Sequence, residues 1–595
     1  MTHAALHDFY QKRKSFFSAS LERVNRKIRI ISNIRLAVAL IFLTTLYFAF
    51  ASHPLFYAFP VILAVFVFLV RIHSALFDRK VHLENLESIQ VDERAALDGD
   101  FSRFNTGSEF INIRHPYSHD LDIFGEGSVF QCISRCNTHG AKQLMAEYLS
   151  SKPTSVEELR VRQEAIRELA MKPDFTQEVQ AFAMQVQEEP NDQRQLQQWL
   201  DQRSFVFGRS YYRFVLTVFP LLTLALVVCA FFFDGIGKFA LIAAACQWVI
   251  TGLHLKRIKA FHQSISHRKT TLDRFAGILS LIEGEKYSSA LLSDLGQQAR
   301  NGDKKLKQLG SLVRALDARL NVLTNLVTNS LLLYDLQCVY RLERWREKSA
   351  KHALTWLRTI CEAEVLCSFA TFTFNHPRFA FPAITPERRL SAKGVGHPLL
   401  PDTVRVVNDI RLDRQRSVMI ITGANMAGKS TFLRSLGVNV VLALAGAPVC
   451  ASEFVCPLID VRSGMRTADS LKDHQSYFYA ELHRLKSIMD DLREGKPLLV
   501  LLDEILKGTN STDKQAGSVA LVKQLIEQPC LVVIATHDLA LGDLAGLYPG
   551  RIVNSCFESN IDDGLLSFDY KLRAGLAQKM NATFLMKKMG ILHPD

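Results

Sequence analysis

Residues 416–431 read RSVMIITGANMAGKST, and this stretch decides the fold of the C-terminal part of the chain. The apolar run 416–422 predicts a buried strand, and a helical pattern follows from Phe432. Between them, Gly423 to Ser430 have the spacing G-x-x-x-x-G-K-S, which is typical of a phosphate-binding loop in a strand-to-helix context. Glycines let backbone amides approach phosphate oxygens, and the helix turns its positive end toward the same anion. The stretch therefore predicts a nucleoside triphosphate site.

The residue types in this loop have separate expected roles. Lys429 is expected to contact the β and γ phosphates of ATP, and Ser430 is expected to bind Mg²⁺. The residues predicted to bind ATP in the loop are Gly423, Ala424, Asn425, Met426, Ala427, Gly428, Lys429, Ser430 and Thr431.

Two later apolar runs lead into polar residues. The run 497–502 (PLLVLL) ends in Asp503 and Glu504, and the run 531–535 (LVVIA) leads to His537. Parallel strands deliver such residues to one edge of a sheet, where phosphate would lie. Asp503 is then expected to hold Mg²⁺ with Ser430, and Glu504 to polarise the attacking water. A histidine after a strand is more often structural when taken alone, but its register with the other two motifs favours a catalytic role for His537 beside Glu504.

The composition limits the class of protein. The chain has 595 residues, 48% of them hydrophobic and 22% charged, which allows several domains and excludes a disordered chain. Its 71 Lys and Arg against 59 Asp and Glu give a net charge of +12, which suits an anionic partner such as nucleic acid or an acidic lipid surface. The eleven cysteines form no CxxC pair, so neither a disulfide framework nor a full zinc site is indicated.

Two pairs of apolar runs predict helical hairpins that cross a membrane. The first pair is 36–51 and 55–70, two uncharged runs that are slightly short for the roughly 17 to 25 residues of a bilayer span. The second pair is 214–233 and 239–253. Buried helices of a soluble protein are the alternative interpretation.

Flanking charge favours the membrane interpretation. Residues 1–35 contain eight Lys or Arg, and Arg71 and Lys256 lie just beyond the two hairpins, which by the positive-inside rule places these flanks in the cytoplasm. The sequence therefore predicts a multi-pass membrane protein with four spanning helices and cytoplasmic termini. The basic N-terminal arm either lies on anionic lipid or is a plain topological flank.

Several motifs closely resemble those of the MutS-family mismatch-repair ATPases. The segment TGANMAGKST resembles the family's TGPNMGGKST loop, DEILKGTNSTD at 503–513 resembles DEIGRGTSTYD, and ATHD at 535–538 matches its ATH turn. The segments 469–471 and 476–481 resemble a further family element between the loop and the acidic strand. A weaker resemblance at 137–166 extends to the start of the family's lever domain.

This resemblance implies an ABC-type ATPase head that works as a homodimer. Ser476 of one subunit is then expected to contact the γ-phosphate bound by the other. Arg405 corresponds to the aromatic residue that stacks on adenine in relatives, so it is expected to stack as a guanidinium plane or to leave base recognition weak. The family's mismatch-reading domain has no counterpart here, and the second hairpin interrupts the helical region where relatives insert a DNA-gripping clamp.

These features together predict an α/β P-loop (ABC-type) ATPase domain at the C-terminus, plus an all-α lever region with two transmembrane hairpins. The predicted divisions are 1–80 (basic arm and first hairpin), 81–204 (lever, first part), 205–256 (second hairpin), 257–386 (lever, second part) and 387–595 (ATPase domain).

Two functions remain open at this point. In the first, a membrane-anchored, ATP-hydrolysing protein binds mismatched, damaged or branched DNA under ATP control, as in DNA mismatch repair. In the second, an ATP-driven membrane scaffold or mechanical module has no nucleic-acid role. The positive charge favours the first, and the missing reading domain and clamp favour the second.

Overall fold

The structure is a computed structural model that describes residues 2–49, 58–186, 188, 192–265, 269–466, 477–506, 510–562 and 565–578. The part before residue 376 is helical. Its helices are α1 (His3–Ala49), α2 (Phe59–Leu97), α3 (Val129–Ile133), α4 (His139–Ser150), α5 (Val156–Ala170), α6 (Pro173–Ala183), α7 (Asp192–Asp201), α8 (Ser210–Cys229), α9 (Gly237–Ile265), α10 (Lys269–Gly284), α11 (Ala290–Ala299), α12 (Gly302–Asp317), α13 (Val322–Leu332) and α14 (Tyr334–Asn375).

The following part contains strands and helices in alternation. In chain order it contains β1 (Ala383–Thr385), β2 (Leu390–Val395), β3 (Asn408–Leu412), β4 (Val418–Gly423), α15 (Lys429–Ala445), β5 (Glu453–Pro457), β6 (Asp460–Gly464), α16 (Tyr477–Arg493), β7 (Leu498–Asp503), α17 (Ser511–Glu527), β8 (Cys530–Thr536), α18 (Leu544–Leu547), β9 (Ile552–Asp562) and β10 (Leu565–Ala574).

The larger sheet has the strand order β10-β9-β4-β8-β7-β6. Strands β9, β4, β8, β7 and β6 are mutually parallel, and β10 pairs with β9 in the antiparallel direction. Residues of β4 and β8 are buried along both strands, as expected for apolar runs covered on both faces by helices. Because β4, β7 and β8 run parallel, their carboxyl ends meet at one edge. A second sheet, β1-β5-β2-β3, lies beside the loop that leads into β4.

The predicted strands 416–422, 497–502 and 531–535 are confirmed as β4, β7 and β8, with ends that differ by at most two residues. The apolar hairpins are helical, but the helices of the first pair are much longer than the apolar runs. Helix α1 has 47 residues and α2 has 39. The helical pattern continues through the charged residues that flank each run, so the predicted boundary at residue 80 falls inside α2.

Helices α1 and α2 pack side by side in antiparallel directions. His3 near the start of α1 contacts the Leu97 carbonyl at the end of α2, and Ser18 Oγ donates a hydrogen bond to Glu87 at 2.5 Å. The base of this pair joins the helical core, because Tyr10 donates a 2.7 Å hydrogen bond to Asn375 at the end of α14. The apolar ends of the two helices are far from this base.

A buried ion pair stabilises that base. Glu93 on α2 is fully buried and accepts hydrogen bonds from Arg135, one of them 3.1 Å long, and from Asn375 at 2.7 Å. The Arg135 guanidinium also lies 3.7 Å from the centre of the Phe104 ring. Every oxygen of the Glu93 carboxylate therefore has a donor, which is the condition under which a buried charge is tolerated.

Replacing Arg135 by methionine is expected to lower the free energy of unfolding by about 3 to 5 kcal/mol, because Glu93 would remain buried without its cation. The matched control is Arg103→Met, since Arg103 pairs with Asp92 at 2.8 Å but its side chain is 55% exposed. The control is expected to cost much less stability, because water screens an exposed ion pair. Thermal unfolding of the purified protein compares the two variants, and equal losses of stability would contradict the expectation.

Candidate functional site

The loop between β4 and α15 requires glycine at both ends. Gly423 has φ +150°, and a Cβ there would lie 2.6 Å from the carbonyl oxygen of Phe557 on β9. Gly428, immediately before α15, has φ +104°, a conformation that residues with a side chain rarely adopt. Met426 also has a positive φ, of 67°, and its side chain is 77% exposed. The chain thus makes a tight turn that ends at the first turn of α15.

Lys429 is folded back over this loop. It is the first residue of α15 and is 5% exposed. Its ammonium donates hydrogen bonds to the carbonyl oxygens of Gly423, at 2.7 Å, and Ala424, at 2.9 Å. The ring nitrogens of His537 lie 3.4 and 3.5 Å away. The ammonium therefore lies between the loop and the end of β8.

The acidic residues at the end of β7 line the same edge of the sheet. Asp503 is the last residue of β7, and Glu504 follows with φ +59°, a strained conformation for a residue with a side chain. A 2.8 Å hydrogen bond from the Glu504 amide to the Ala535 carbonyl fixes this turn against β8. The Glu504 carboxylate lies 2.8 Å from His537 Nε2. The structure therefore brings Lys429, Glu504 and His537 together at the carboxyl edge of the sheet.

A cavity of about 540 Å³ opens at this edge, within the size range of small-molecule sites. Its polar lining comes from the loop, the first turn of α15 and the Asp503–Glu504 pair. Its apolar lining comes from the segment after β2 and from β10. The lining residues are Val395, His397, Leu400, Val404, Val406, Asn408, Ala424, Asn425, Met426, Gly428, Lys429, Ser430, Thr431, Phe432, Ser435, Asp503, Glu504, Phe557 and Tyr570.

His397 on the cavity wall is neutral at physiological pH. Burial lowers the pKa of its imidazole to about 4, and the nearby Arg434 acts in the same direction. The wall beside the loop therefore carries an uncharged ring, while the positive charge is supplied by Lys429.

Arg405 does not take the position expected for it. Among the described residues, it is absent from those that line the cavity. Its guanidinium donates to the carbonyl oxygens of His397, at 3.0 Å, and Leu400, pairs with Asp402 at 2.5 Å, and lies 5.4 Å from the Phe379 ring centre. These contacts hold its own loop together, and both outcomes predicted for Arg405, stacking on adenine or weak base recognition, stay predictions.

An aromatic residue that the sequence analysis did not select lines the cavity instead. Tyr570 lies on β10 at a bulge, with φ +54°, and its side chain is 44% exposed. Asn408 holds this bulge, because it donates to the Tyr570 carbonyl at 3.0 Å and accepts from the Leu572 amide at 2.8 Å. The ring lies beside Gly428, where an added Cβ would approach its Cδ1 to 3.0 Å. Tyr570 lies in the segment FDYKLRAG at 568–575, which none of the motifs in the sequence covers.

Ser476, predicted to contact the γ-phosphate of a partner subunit, lies outside the described residues, as do 469–471 and 507–509. The other predicted site residues are placed as above, with Ser430 and Thr431 in the first turn of α15.

Comparison with known proteins identifies the C-terminal part of the chain. Residues 419–590 match the family model described as MutS domain V. This part of the chain is therefore a MutS domain V. The DNA mismatch repair protein MutS of Thermotoga petrophila is 30% identical over 253 residues, which are 42% of this chain and 31% of that protein.

The MutS protein of Shouchella clausii is 33% identical over 241 residues, which are 39% of this chain and 27% of that protein. The chain thus spans about a third or less of the length of these curated relatives. The resemblance to the MutS family that the sequence motifs indicate is confirmed for the domain that contains the site.

Proposed function

We propose that this MutS-family chain is a membrane-anchored ATPase that binds and hydrolyses Mg-ATP at the carboxyl edge of its larger sheet. The observation that carries the proposal is the convergence of Lys429, Glu504 and His537 beside a cavity of nucleotide size. Phosphoryl transfer to water requires a phosphate-binding loop, a carboxylate that binds the metal and a carboxylate that orients the water. Phosphate release from Mg-ATP by the purified full chain tests it.

The residues present suit a magnesium ion. Ser430 and Asp503 both line the cavity and offer hydroxyl and carboxylate oxygens, the hard ligands that Mg²⁺ prefers. Bound there, Mg²⁺ would neutralise charge that develops on the phosphate oxygens. Lys429 would hold the β and γ phosphates, and Glu504 would orient the attacking water and accept its proton. His537, 2.8 Å from Glu504, would position that carboxylate.

Tyr570→Ala is expected to raise the KM for ATP about tenfold with a much smaller change in kcat. The reason is that stacking of a base on an aromatic ring contributes about 1 to 3 kcal/mol and is made far from the reacting phosphate. Tyr570→Phe keeps the ring and is the matched control. Steady-state ATPase kinetics separate the two parameters, and a normal KM in the alanine variant would remove Tyr570 from base recognition.

Contacts between the helical region and the ATPase domain support a mechanical use of hydrolysis. Asp120 is fully buried and accepts hydrogen bonds from Ser463 Oγ at 2.8 Å and the Met465 amide at 3.0 Å, at the end of β6. It also pairs with Arg484 on α16 at 2.9 Å. Any movement of β6 or α16 when nucleotide binds would pull on the segment before α3. We propose that a homodimer uses this link to move its helical levers.

Four helices support the membrane anchor. Helices α1, α2, α8 and α9 are long and apolar enough to cross a membrane, judged by length and composition. Large apolar side chains on them are widely exposed, for example Tyr47 at 75%, Leu241 at 73% and Leu253 at 79%. Such surfaces are rare on monomeric soluble proteins. The proposal places the ATPase domain and both termini in the cytoplasm.

An exposed basic stripe supports an anionic partner for the levers. Arg341, Arg344, Lys348, Lys351 and Arg358 are all exposed and recur at helical spacing on α14. DNA is the partner that we propose first, because relatives bear the name DNA mismatch repair protein. An ATP-driven membrane module without a nucleic-acid role is the second candidate, favoured by the apolar hairpin α8–α9.

Titration with duplex, mismatched and branched DNA at several salt concentrations separates these two functions. Binding through the stripe predicts a log affinity that falls with log salt, with a slope close to the number of phosphates contacted. Lys348→Glu with Lys351→Glu should reduce that slope, and Lys486→Glu on α16 is the control. No binding at low salt would eliminate the DNA function and leave the membrane module.

A further inference from the structure

Helix α13 presents an apolar face outside the predicted hairpins. The sequence from 320 to 334 contains no charged residue. Four of its side chains face outward: Val322 is 80% exposed, Leu323 75%, Leu326 53% and Val327 56%. The apolar spacing of this stretch predicts an ordinary helix of the lever, which would bury such a face. Within the part of the chain that the structure describes, that face is exposed.

The contacts of α13 place it beside the middle of α9. Gln247 on α9 is fully buried and lies nine residues from Lys238 and nine residues from Lys256, the nearest lysines on either side. Nine residues of helix span roughly 13 Å, close to half of the roughly 30 Å hydrocarbon core. If α9 crosses the membrane, as the proposed function requires, Gln247 lies near the midplane. Whatever binds Gln247 lies at the same depth.

The C-terminal end of α13 binds Gln247 through its backbone. Gln247 Oε1 accepts a 3.0 Å hydrogen bond from the Leu333 amide, and its Nε2 lies 3.4 Å from the Leu331 carbonyl and donates to Thr223 on α8 at 2.6 Å. Trp248, next on α9, donates to Ser330 Oγ at 2.8 Å. Helices α8, α9 and α13 therefore share a polar contact at the level of Gln247.

The helix is interrupted at this level, and the geometry of the interruption is compatible with a hydrocarbon environment. Leu333 has φ +49°, is fully buried and separates α13 from α14. Irregular backbone at membrane depth is tolerated only where protein satisfies its polar groups. Gln247 satisfies the Leu333 amide, and Gln337 on α14 donates a 2.9 Å hydrogen bond to the Leu332 carbonyl. Two glutamine side chains thus make the hydrogen bonds to the backbone that water would make outside a membrane.

The other end of the segment lies near the proposed cytoplasmic end of α9. Asp317, the last residue of α12, lies 2.9 Å from His262 Nε2, and His262 comes six residues after Lys256 on α9. The chain therefore passes from the level of His262 to the level of Gln247 over α13. Arg319 before α13 lies 3.3 Å from Asp335 after it. This pair neutralises the two charges that flank the apolar segment, as intramembrane charges require.

We propose that α13 and the break at Leu333 form a re-entrant membrane element, which enters from the cytoplasmic side and reaches the bilayer midplane alongside α8 and α9. Its exposed face contacts lipid acyl chains, continuous with exposed apolar residues of α9 such as Val249 and Leu253, at 63% and 79%. The second hairpin is then a three-helix membrane unit whose third member is joined directly to α14. This inference rests on the proposed membrane anchor.

Nitroxide labels on the full chain in phosphatidylcholine vesicles test the inference. The labels are placed at Val327→Cys and Leu323→Cys on α13, at Val249→Cys on α9 and at Leu547→Cys on α18, in a background where the cysteines that are not buried, Cys229, Cys246 and Cys361, are alanine. Collision with oxygen, which dissolves in the bilayer, is compared with collision with a water-soluble nickel chelate. Leu547, 68% exposed in the ATPase domain, gives the aqueous reference.

The expected result is that both α13 labels favour oxygen to the same extent as the Val249 label, opposite to the Leu547 label. Labels on α13 that favour the nickel chelate while Val249 favours oxygen would overturn the re-entrant element and leave the anchor standing. Labels on α13 that are shielded from both reagents would also overturn it, because a protein surface or a second copy would then cover that face. A Val249 label that favours the nickel chelate would contradict the proposed anchor itself.

Discussion

Replacing Lys429 by alanine is expected to abolish ATP binding. Lys429 is 5% exposed, and its ammonium lies against the loop carbonyls, where a phosphate chain in the loop would meet it. Hydrogen bonds to a charged partner contribute about 1.5 to 3 kcal/mol each. Losing two of them would weaken binding by a factor of roughly 100 or more. Isothermal titration of the purified full chain with Mg-ATP measures the loss.

The matched control is Lys496→Ala. Lys496 precedes β7 at the opposite edge of the sheet and pairs with Asp491 at 2.7 Å, with a side chain 44% exposed. Its removal is expected to leave ATP affinity unchanged. If the Lys429 variant bound ATP as tightly as this control, the triphosphate could not lie in the loop.

Glu504→Gln is expected to retain ATP and to slow its hydrolysis by a factor of about 10² to 10⁴, the range that positioned acid–base groups contribute. Glutamine has the same shape and can keep a contact with His537, so the turn at the end of β7 should persist. It cannot accept the proton of the attacking water. Single-turnover phosphate release, measured beside ATP affinity, separates the chemical step from binding.

Glu494→Gln provides the comparison for this variant. Glu494 lies in the turn after α16, and its side chain is 63% exposed. Normal turnover is expected there. Near-normal hydrolysis in the Glu504 variant would contradict the role of Glu504 in orienting water. His537 would then have no catalytic partner.

Much of the site could be predicted from the sequence because its determinants are local. The spacing from Gly423 to Ser430 fixes a turn between one strand and one helix, and the apolar runs before Glu504 and His537 fix the strands that carry them. Once these strands are parallel, their ends must meet. The 2.8 Å contact between Glu504 and His537 follows from that register.

The aromatic side of the cavity wall could not be predicted in the same way. Whether Arg405 or Tyr570 faces the cavity depends on contacts between segments far apart in the sequence. Asn408 holds the bulge of β10 through Leu572, and Lys571 donates a 2.9 Å hydrogen bond to the Val407 carbonyl. Those contacts turn Tyr570 over the loop, while Arg405 is held by carbonyl groups of its own segment.

In the helical region, the spacing of apolar residues could not reveal which neighbours a helix contacts. An apolar stripe at helical spacing predicts a helix but not what its face contacts, so 320–334 could not be distinguished from a buried helix of the lever. The buried Gln247 and the break at Leu333 supply that information, since they fix the depth of α13 relative to α9. The first hairpin shows a related limit, because an apolar run marks where the surface of a helix becomes apolar rather than where the helix ends.

The most direct measurement of the central claim is a structure of the Glu504→Gln variant solved with Mg-ATP. The account predicts a triphosphate in the loop 423–431, with the γ-phosphate within hydrogen-bonding distance of Lys429 and the metal bound by Ser430 and Asp503. A nucleotide bound elsewhere on the protein, or a triphosphate whose γ-phosphate lies away from residue 504, would contradict it.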